Sequence, residues 1–329
     1  MQKRELKWLF CCSGAMALQL LGGFLQYVIY ADIAVFFYLL TSAVHHKFTW
    51  KRIFRDGILW IITYFGMCMA AILGTAQFML FLSGASGSQM PFEWFIGLSL
   101  HPMKLLETVL PEIFGPDVGS ALMGKGYSSG MDAELIMGAA AVCMLTASFA
   151  LFRKRFHVRY MICLLFASLL YACMGNIPGI AKIFYHIPVL NLFRVPSRTL
   201  FLFTFASIVL IACSMEELNR NERHYQRLHI VNLCMMGFFV GAAILYSCAV
   251  LPYDGERLAA TDVFFLPGVL FSAYLLVFYL GHFLRSRKIP LAANARAIVP
   301  VLVAGLMVVQ VAPYYTAAAI KYKRKYGAF

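Results

Sequence analysis

Two arginines four residues apart, Arg194 and Arg198, close the run His186-Ile-Pro-Val-Leu-Asn191-Leu-Phe-Arg194-Val-Pro196-Ser197-Arg198, directly before an apolar stretch from Thr199 to Met215. Pro196 and Ser197 mark a helix start, where unpaired N–H groups favour an anion. Two guanidiniums beside such a terminus can hold phosphate oxygens through paired hydrogen bonds. Anchoring to the phosphates of membrane lipids is the alternative use of the same side chains. A third residue able to do chemistry, Asp32, stands inside an apolar run six residues past Gln26. A carboxylate in mid-span costs about 2.5–3.5 kcal/mol on insertion scales, so Asp32 must face a cavity or a partner. At ~1.5 Å per residue it lies roughly 9 Å below Gln26, within reach of water. A hydrogen bond with Tyr30 or Tyr38 is the other reading.

Other polar side chains form weaker constellations. Glu93, His101, Lys104, Glu107, Glu112 and Asp117 fall in one stretch, where they could bind a cation or act as acid and base, or form the solvated face of an interfacial helix over Met103 to Leu110. His101 before Pro102 also reads as a simple helix start. Asp132 is placed to cap a following helix, with Glu134 in its first turn. The nine cysteines lie in or at the ends of apolar runs, without a C-x-x-C spacing. They read as small packing residues, and no metal or cofactor is expected.

The elements that must position these groups are apolar helices. With 61% hydrophobic and 13% charged residues over 329 positions, the chain has more apolar surface than a soluble domain of that length can bury. The fold expected is all-α and polytopic, a single transmembrane domain over residues 1–329. About nine spans are expected, at 8–22, 26–44, 57–80, 133–152, 160–175, 199–215, 228–250, 263–284 and 297–313. The first two come from one run, Trp8 to Val44, broken at Gly22-Gly23. The amino-terminal segment and four short segments between alternate spans together hold 18 of the 28 Lys and Arg residues, which puts all five in the cytoplasm. The net charge of +13 thus reads as membrane topology, not nucleic-acid binding. The two long segments 81–131 and 176–197 then lie outside, where long ordered loops carry function.

Three of these elements resemble a family. Pro188-Val-Leu-Asn-Leu-Phe-Arg-Val-Pro-Ser-Arg198 resembles the P-x-x-N-x-F-R-x-P-x-R signature of bacterial YfhO-like membrane proteins, whose fold is of the GT-C glycosyltransferase class. Gly22-Gly-Phe-Leu-Gln26 resembles that family's Gly-His-Pro-Gln turn, with Phe24 and Leu25 in place of His-Pro, and Leu110-Pro-Glu-Ile-Phe-Gly115 resembles its outer-loop element. The resemblance covers the middle of a full-length member, without the amino-terminal spans or the carboxy-terminal extracytoplasmic portion. It implies a bacterial cytoplasmic-membrane protein moving a sugar from a polyprenyl-phosphate donor to a cell-envelope acceptor on the outer face. Arg194 and Arg198 would hold the lipid phosphate, and His186, Asn191, Gln26 and Asp32 would be secondary polar contacts. The acidic catalytic loop would come from a partner chain supplying the missing amino-terminal spans. Two other functions fit the same residues. One is a flippase for a lipid-linked saccharide, with Asp32, Gln19, Gln77 and Gln310 along its path, and the other is a non-catalytic membrane subunit.

Overall fold

A computed structural model describes residues 6–22, 25–86, 91–111, 113–114, 136–152, 155–187, 190–193, 195–218, 220–248 and 260–286, together with 302 and 305. Regular structure among them is entirely helical: α1 (Leu6–Leu21), α2 (Leu25–His45), α3 (Trp50–Ser86), α4 (Phe92–Ile96), α5 (Ala139–Ser148), α6 (Phe156–Ala172), α7 (Pro178–Tyr185), α8 (Leu200–Leu218), α9 (Glu222–Ser247) and α10 (Ala260–Ser286). Short 3-10 turns fill the connections at Pro102–Thr108, Met174–Asn176, Leu190–Leu192 and Pro196–Thr199.

Among the described residues, four segments are long and apolar enough to cross a membrane: Leu25–His45, Pro196–Leu218, Glu222–Ser247 and Val263–Phe283. Three shorter apolar helices, Leu9–Leu21, Ala139–Leu151 and Phe156–Ala172, stand beside them. The expected 57–80 run lies within α3, whereas 297–313 falls outside the described residues apart from Leu302 and Gly305. Large apolar side chains stay open around the bundle, Leu18, Ile62, Ile208, Val240, Phe265 and Leu276 each at least 60% exposed. An apolar exterior of that kind is matched to lipid, a solvent that leaves every backbone group to be paired inside its own helix.

Ring contacts and hydrogen bonds fix the helix directions. Tyr30 meets Tyr171, Tyr38 meets Tyr160, and His45 stacks on Phe156, so α2 and α6 are antiparallel. Helix α8 runs back along α6, its start joined by Thr199 Oγ1 donating to Ser168 O at 3.1 Å and its end by Arg155 donating to Glu216 at 2.7 Å. That second bond raises the Arg155 pKa above its ordinary value. Helices α9 and α10 follow antiparallel, bonded through His229–Tyr279 at 2.7 Å and Asn232–Tyr274 at 3.2 Å. Ser214 on α8 pairs with His224 on α9 at 2.9 Å. Buried polar pairs of this type tie helices together where lipid supplies no hydrophobic drive. Helix α5 sits inside the bundle, and its Ala139, Ala140, Ala141, Cys143 and Ala147 are all buried. Its small side chains let α8 and α9 approach closely.

The Gly22-Gly23 break divides the first apolar run as expected. Helix α1 lies along α3, with Ser13 and Thr63 hydroxyls 2.7 Å apart, and α2 returns between them in direction. One end of the bundle therefore collects Lys7, Lys47, Lys51, Arg55, Arg155, Arg159, Arg220, Arg223 and Arg227. The opposite end holds Gln26, the 92–108 segment and the described residues from Cys173 to Arg198.

Two expectations are corrected. Helix α3 continues to Ser86, past the expected start of the outer segment at 81. Helix α5 begins at Ala139 behind an N-cap Gly138 at φ 81°, and Asp132 and Glu134, expected to cap and open it, lie outside the described residues. Pro102–Thr108 is a 3-10 turn and not a solvated interfacial helix: Lys104, Glu107 and Thr108 are buried there.

Candidate functional site

The end of the bundle opposite the basic one is built on the start of α2. Because the chain breaks at Gly22-Gly23, Gln26 falls in the first turn of α2, and its side chain points into protein, 5% exposed. Gln26 Oε1 accepts from Arg198 Nη1 at 2.9 Å. Its Nε2 donates to Tyr30 Oη at 3.0 Å, one turn along the helix, and to Val195 O at 3.4 Å. The Tyr30 hydroxyl donates in turn to Tyr171 Oη at 3.3 Å, at the last turn of α6. This chain of bonds joins α2, α6 and the start of α8.

The Arg198 side is set by backbone geometry. Val195 sits at φ 65° and ψ 71°, in the left-handed region that costs a β-branched residue of order 1–3 kcal/mol. The strained carbonyl is held by Gln26 Nε2 and by the Arg198 N–H at 3.1 Å. Thr199 Oγ1 also donates to Pro196 O at 2.8 Å, closing the turn that leads into α8. Ser197 is fully buried, and its Oγ has no partner among the described residues. A guanidinium carries donors in a planar fork, so the bond to Gln26 sets its orientation.

A polar roof packs against this end. Leu100 N donates to Ala172 O at 2.7 Å, Asn176 Nδ2 to Leu100 O at 2.9 Å, and Gly175 N to Ser99 Oγ at 3.2 Å. A Cβ at Gly175 would lie 2.7 Å from Ser99 Cβ. Gly175→Ala is therefore expected to lower stability by about 1–3 kcal/mol, read as thermal unfolding in detergent. Gly179→Ala, with nothing within 4 Å of its Cβ, serves as the comparison and should not destabilise by that route.

Of the residues singled out in the sequence, Gln26 and Arg198 are in direct contact, and Arg194 lies outside the described residues. His186 is exposed and its Nδ1 bonds Lys182 O at 2.7 Å at the end of α7. Asn191 is half-buried in the Leu190–Leu192 turn, with no side-chain bond among the described residues. His101 Nδ1 accepts from Met103 N at 3.3 Å, the plain capping role. Lys104 and Glu107 form a buried ion pair at 3.8 Å. Glu112 and Asp117 lie outside the described residues, and no group of three His, Cys, Asp or Glu able to hold a metal occurs among those described.

Asp32 turns away from this network. Its Oδ2 accepts from Tyr64 Oη of α3 at 2.9 Å, so the partner is neither Tyr30 nor Tyr38, and Oδ1 is buried without a partner among the described residues. Tyr64→Phe is expected to cost about 1–3 kcal/mol, because it strands a second carboxylate oxygen, whereas Tyr64→Phe with Asp32→Leu should recover most of that loss. Thermal unfolding of the three proteins checks it.

No family model, curated protein or solved structure matches the chain. The residues that sequence reasoning missed are Tyr30, Tyr171 and Val195. Tyr30 was accessible, standing four residues after Gln26 on one helix face. Tyr171 and the Val195 carbonyl are reached only by folding.

Proposed function

We propose that this chain is a multi-pass membrane protein that binds the phosphate of a polyprenyl-phosphate-linked sugar at the Gln26–Arg198 end and takes part in transferring the sugar. The observation that carries the reading is the Arg198–Gln26 hydrogen bond, which links across 172 residues two of the motifs that resemble the YfhO-like, GT-C family. With the basic end in the cytoplasm, as the positive-inside rule requires, this site faces outward. A nine-span GT-C-like bundle in a bacterial cytoplasmic membrane is part of the same proposal.

In the reaction the bond between the anomeric carbon and a phosphate oxygen breaks, and its electron pair leaves with the phosphate. The acceptor hydroxyl oxygen bonds to that carbon and gives its proton to a carboxylate base. Arg198, together with Arg194, stabilises the charge growing on the departing phosphate. The test is transfer of labelled sugar from a short-chain polyprenyl-phosphate donor into envelope material, in membranes with and without this chain. Transfer that depends on the chain is expected, and equal transfer in both would overturn the proposal.

A further inference from the structure

An apolar groove of about 1360 Å³ runs along the seam between α2 and α6. Its α2 wall extends from Ile29 to His45, roughly 24 Å at ~1.5 Å per residue. The volume exceeds that of an ordinary small-molecule pocket, and the shape is long, which suits hydrocarbon chains better than a compact ligand. At one end the walls are Phe184, Ile187 and Leu190 with the rings of Tyr30 and Tyr171, and Asp32, bonded to Tyr64, lies along the α2 wall. At the other, on the basic end of the bundle, His45 and Arg159 form the mouth.

Those two side chains are placed differently from the other basic groups there. Arg155, one turn earlier on α6, is paired with Glu216 at 2.7 Å and has Glu217 at 3.9 Å. Arg159 is exposed, with no ion pair among the described residues. His45 is stacked on Phe156 at 4.6 Å and 10°, which fixes its ring over the same mouth. A hydrophobic channel ending in an unneutralised guanidinium and an imidazole matches one class of occupant, a lipid with apolar chains and an anionic head. Basic pockets between spanning helices on the cytoplasmic side recognise such heads.

We infer that the α2–α6 groove holds an anionic glycerophospholipid, its acyl chains along the seam and its phosphate at Arg159 and His45. The head-group mouth lies at the opposite end of the bundle from Gln26 and Arg198, whereas the far end of the groove reaches Tyr30 and Tyr171 of that network; the inference does not depend on the sugar-transfer proposal. The occupant lies along a seam held by Tyr30–Tyr171, Tyr38–Tyr160, His45–Phe156 and the Tyr160 hydroxyl on Ala34 O.

The experiment is native mass spectrometry of the full chain in detergent, titrated with phosphatidylglycerol or with phosphatidylcholine of the same acyl chains. Wild type should retain phosphatidylglycerol at least about fivefold better, and Arg159→Gln should lose about fivefold of that retention, the worth of one cationic group. Phosphatidylcholine should be indifferent to Arg159→Gln. Ala167→Trp, which fills the middle of the groove from an exposed position, should reduce both lipids. Lys51→Gln, on the same end but outside the groove lining, should change neither. Equal retention of the two lipids by wild type overturns the inference. So does an Arg159→Gln effect no larger than that of Lys51→Gln. Retention unaffected by Ala167→Trp would place the bound lipid outside the groove and overturn the inference as well.

Discussion

Arg198→Ala is expected to slow sugar transfer from a polyprenyl-phosphate donor by about 10²–10³-fold, the usual cost of removing one preorganised donor from a site of developing charge. The loss should appear in kcat more than in KM, because the phosphate gains charge as the glycosidic bond breaks. Arg198→Lys should restore little of it. An ammonium keeps the charge but lacks the planar fork that Gln26 Oε1 orients at 2.9 Å. Gln26→Ala acts through Arg198, so its effect should be smaller, and it should also free the Val195 carbonyl at φ 65° from one of its two bonds. A readout confined to stability separates these cases. If Arg198→Ala unfolds the protein no more readily than Gln26→Ala does, yet transfers far less, the guanidinium acts on substrate. Equal loss of activity in the two variants would mean that Arg198 only holds the α2 to α8 junction together.

The largest stability effect is expected at Glu107. Glu107→Ala removes the one partner that Lys104 has among the described residues, a carboxylate 3.8 Å away, with the Lys104 side chain 2% exposed. Stranding a buried cation in this way costs about 3–5 kcal/mol, whereas replacing both members of such a pair by apolar groups is often neutral. Lys104→Met with Glu107→Ala should therefore melt close to wild type. Glu93→Ala, at an exposed position on α4, should stay within about 0.5 kcal/mol. Thermal unfolding of all four proteins in one detergent checks the ordering. A double variant as unstable as Glu107→Ala would show that the carboxylate stabilises by some other contact.

What could be read from the sequence divides along physical lines. The break at Gly22-Gly23 and the apolar runs over α2, α8, α9 and α10 are local, written in hydropathy and glycine placement, and the helices follow them. The gathering of basic residues at one end is equally legible, because alternation of spans projects linear clusters onto one face. The side of each polar residue was not legible. Lys104 and Glu107 look like a solvated pair until the 3-10 turn Pro102–Thr108 carries them into the core. Asp32 has tyrosines at Tyr30 and Tyr38 on its own helix, yet its bond goes to Tyr64, since a helix presents a residue outward to whichever neighbour packs there. The extent of α3 was underestimated because its apolar run gives way to Ser and Gly, whereas the helix continues to Ser86. At the site, the sequence placed Gln26 and Arg198 in separate motifs. Their contact is a product of tertiary packing.

The most direct test is photolabelling of the intact chain with a short polyprenyl-phosphate probe carrying its reactive group beside the phosphate, followed by peptide mapping. Label on peptides spanning 25–30 and 195–202, reduced in Arg198→Ala, is the predicted result. Label confined to the basic end, around residues 45–51 and 155–160, would contradict it.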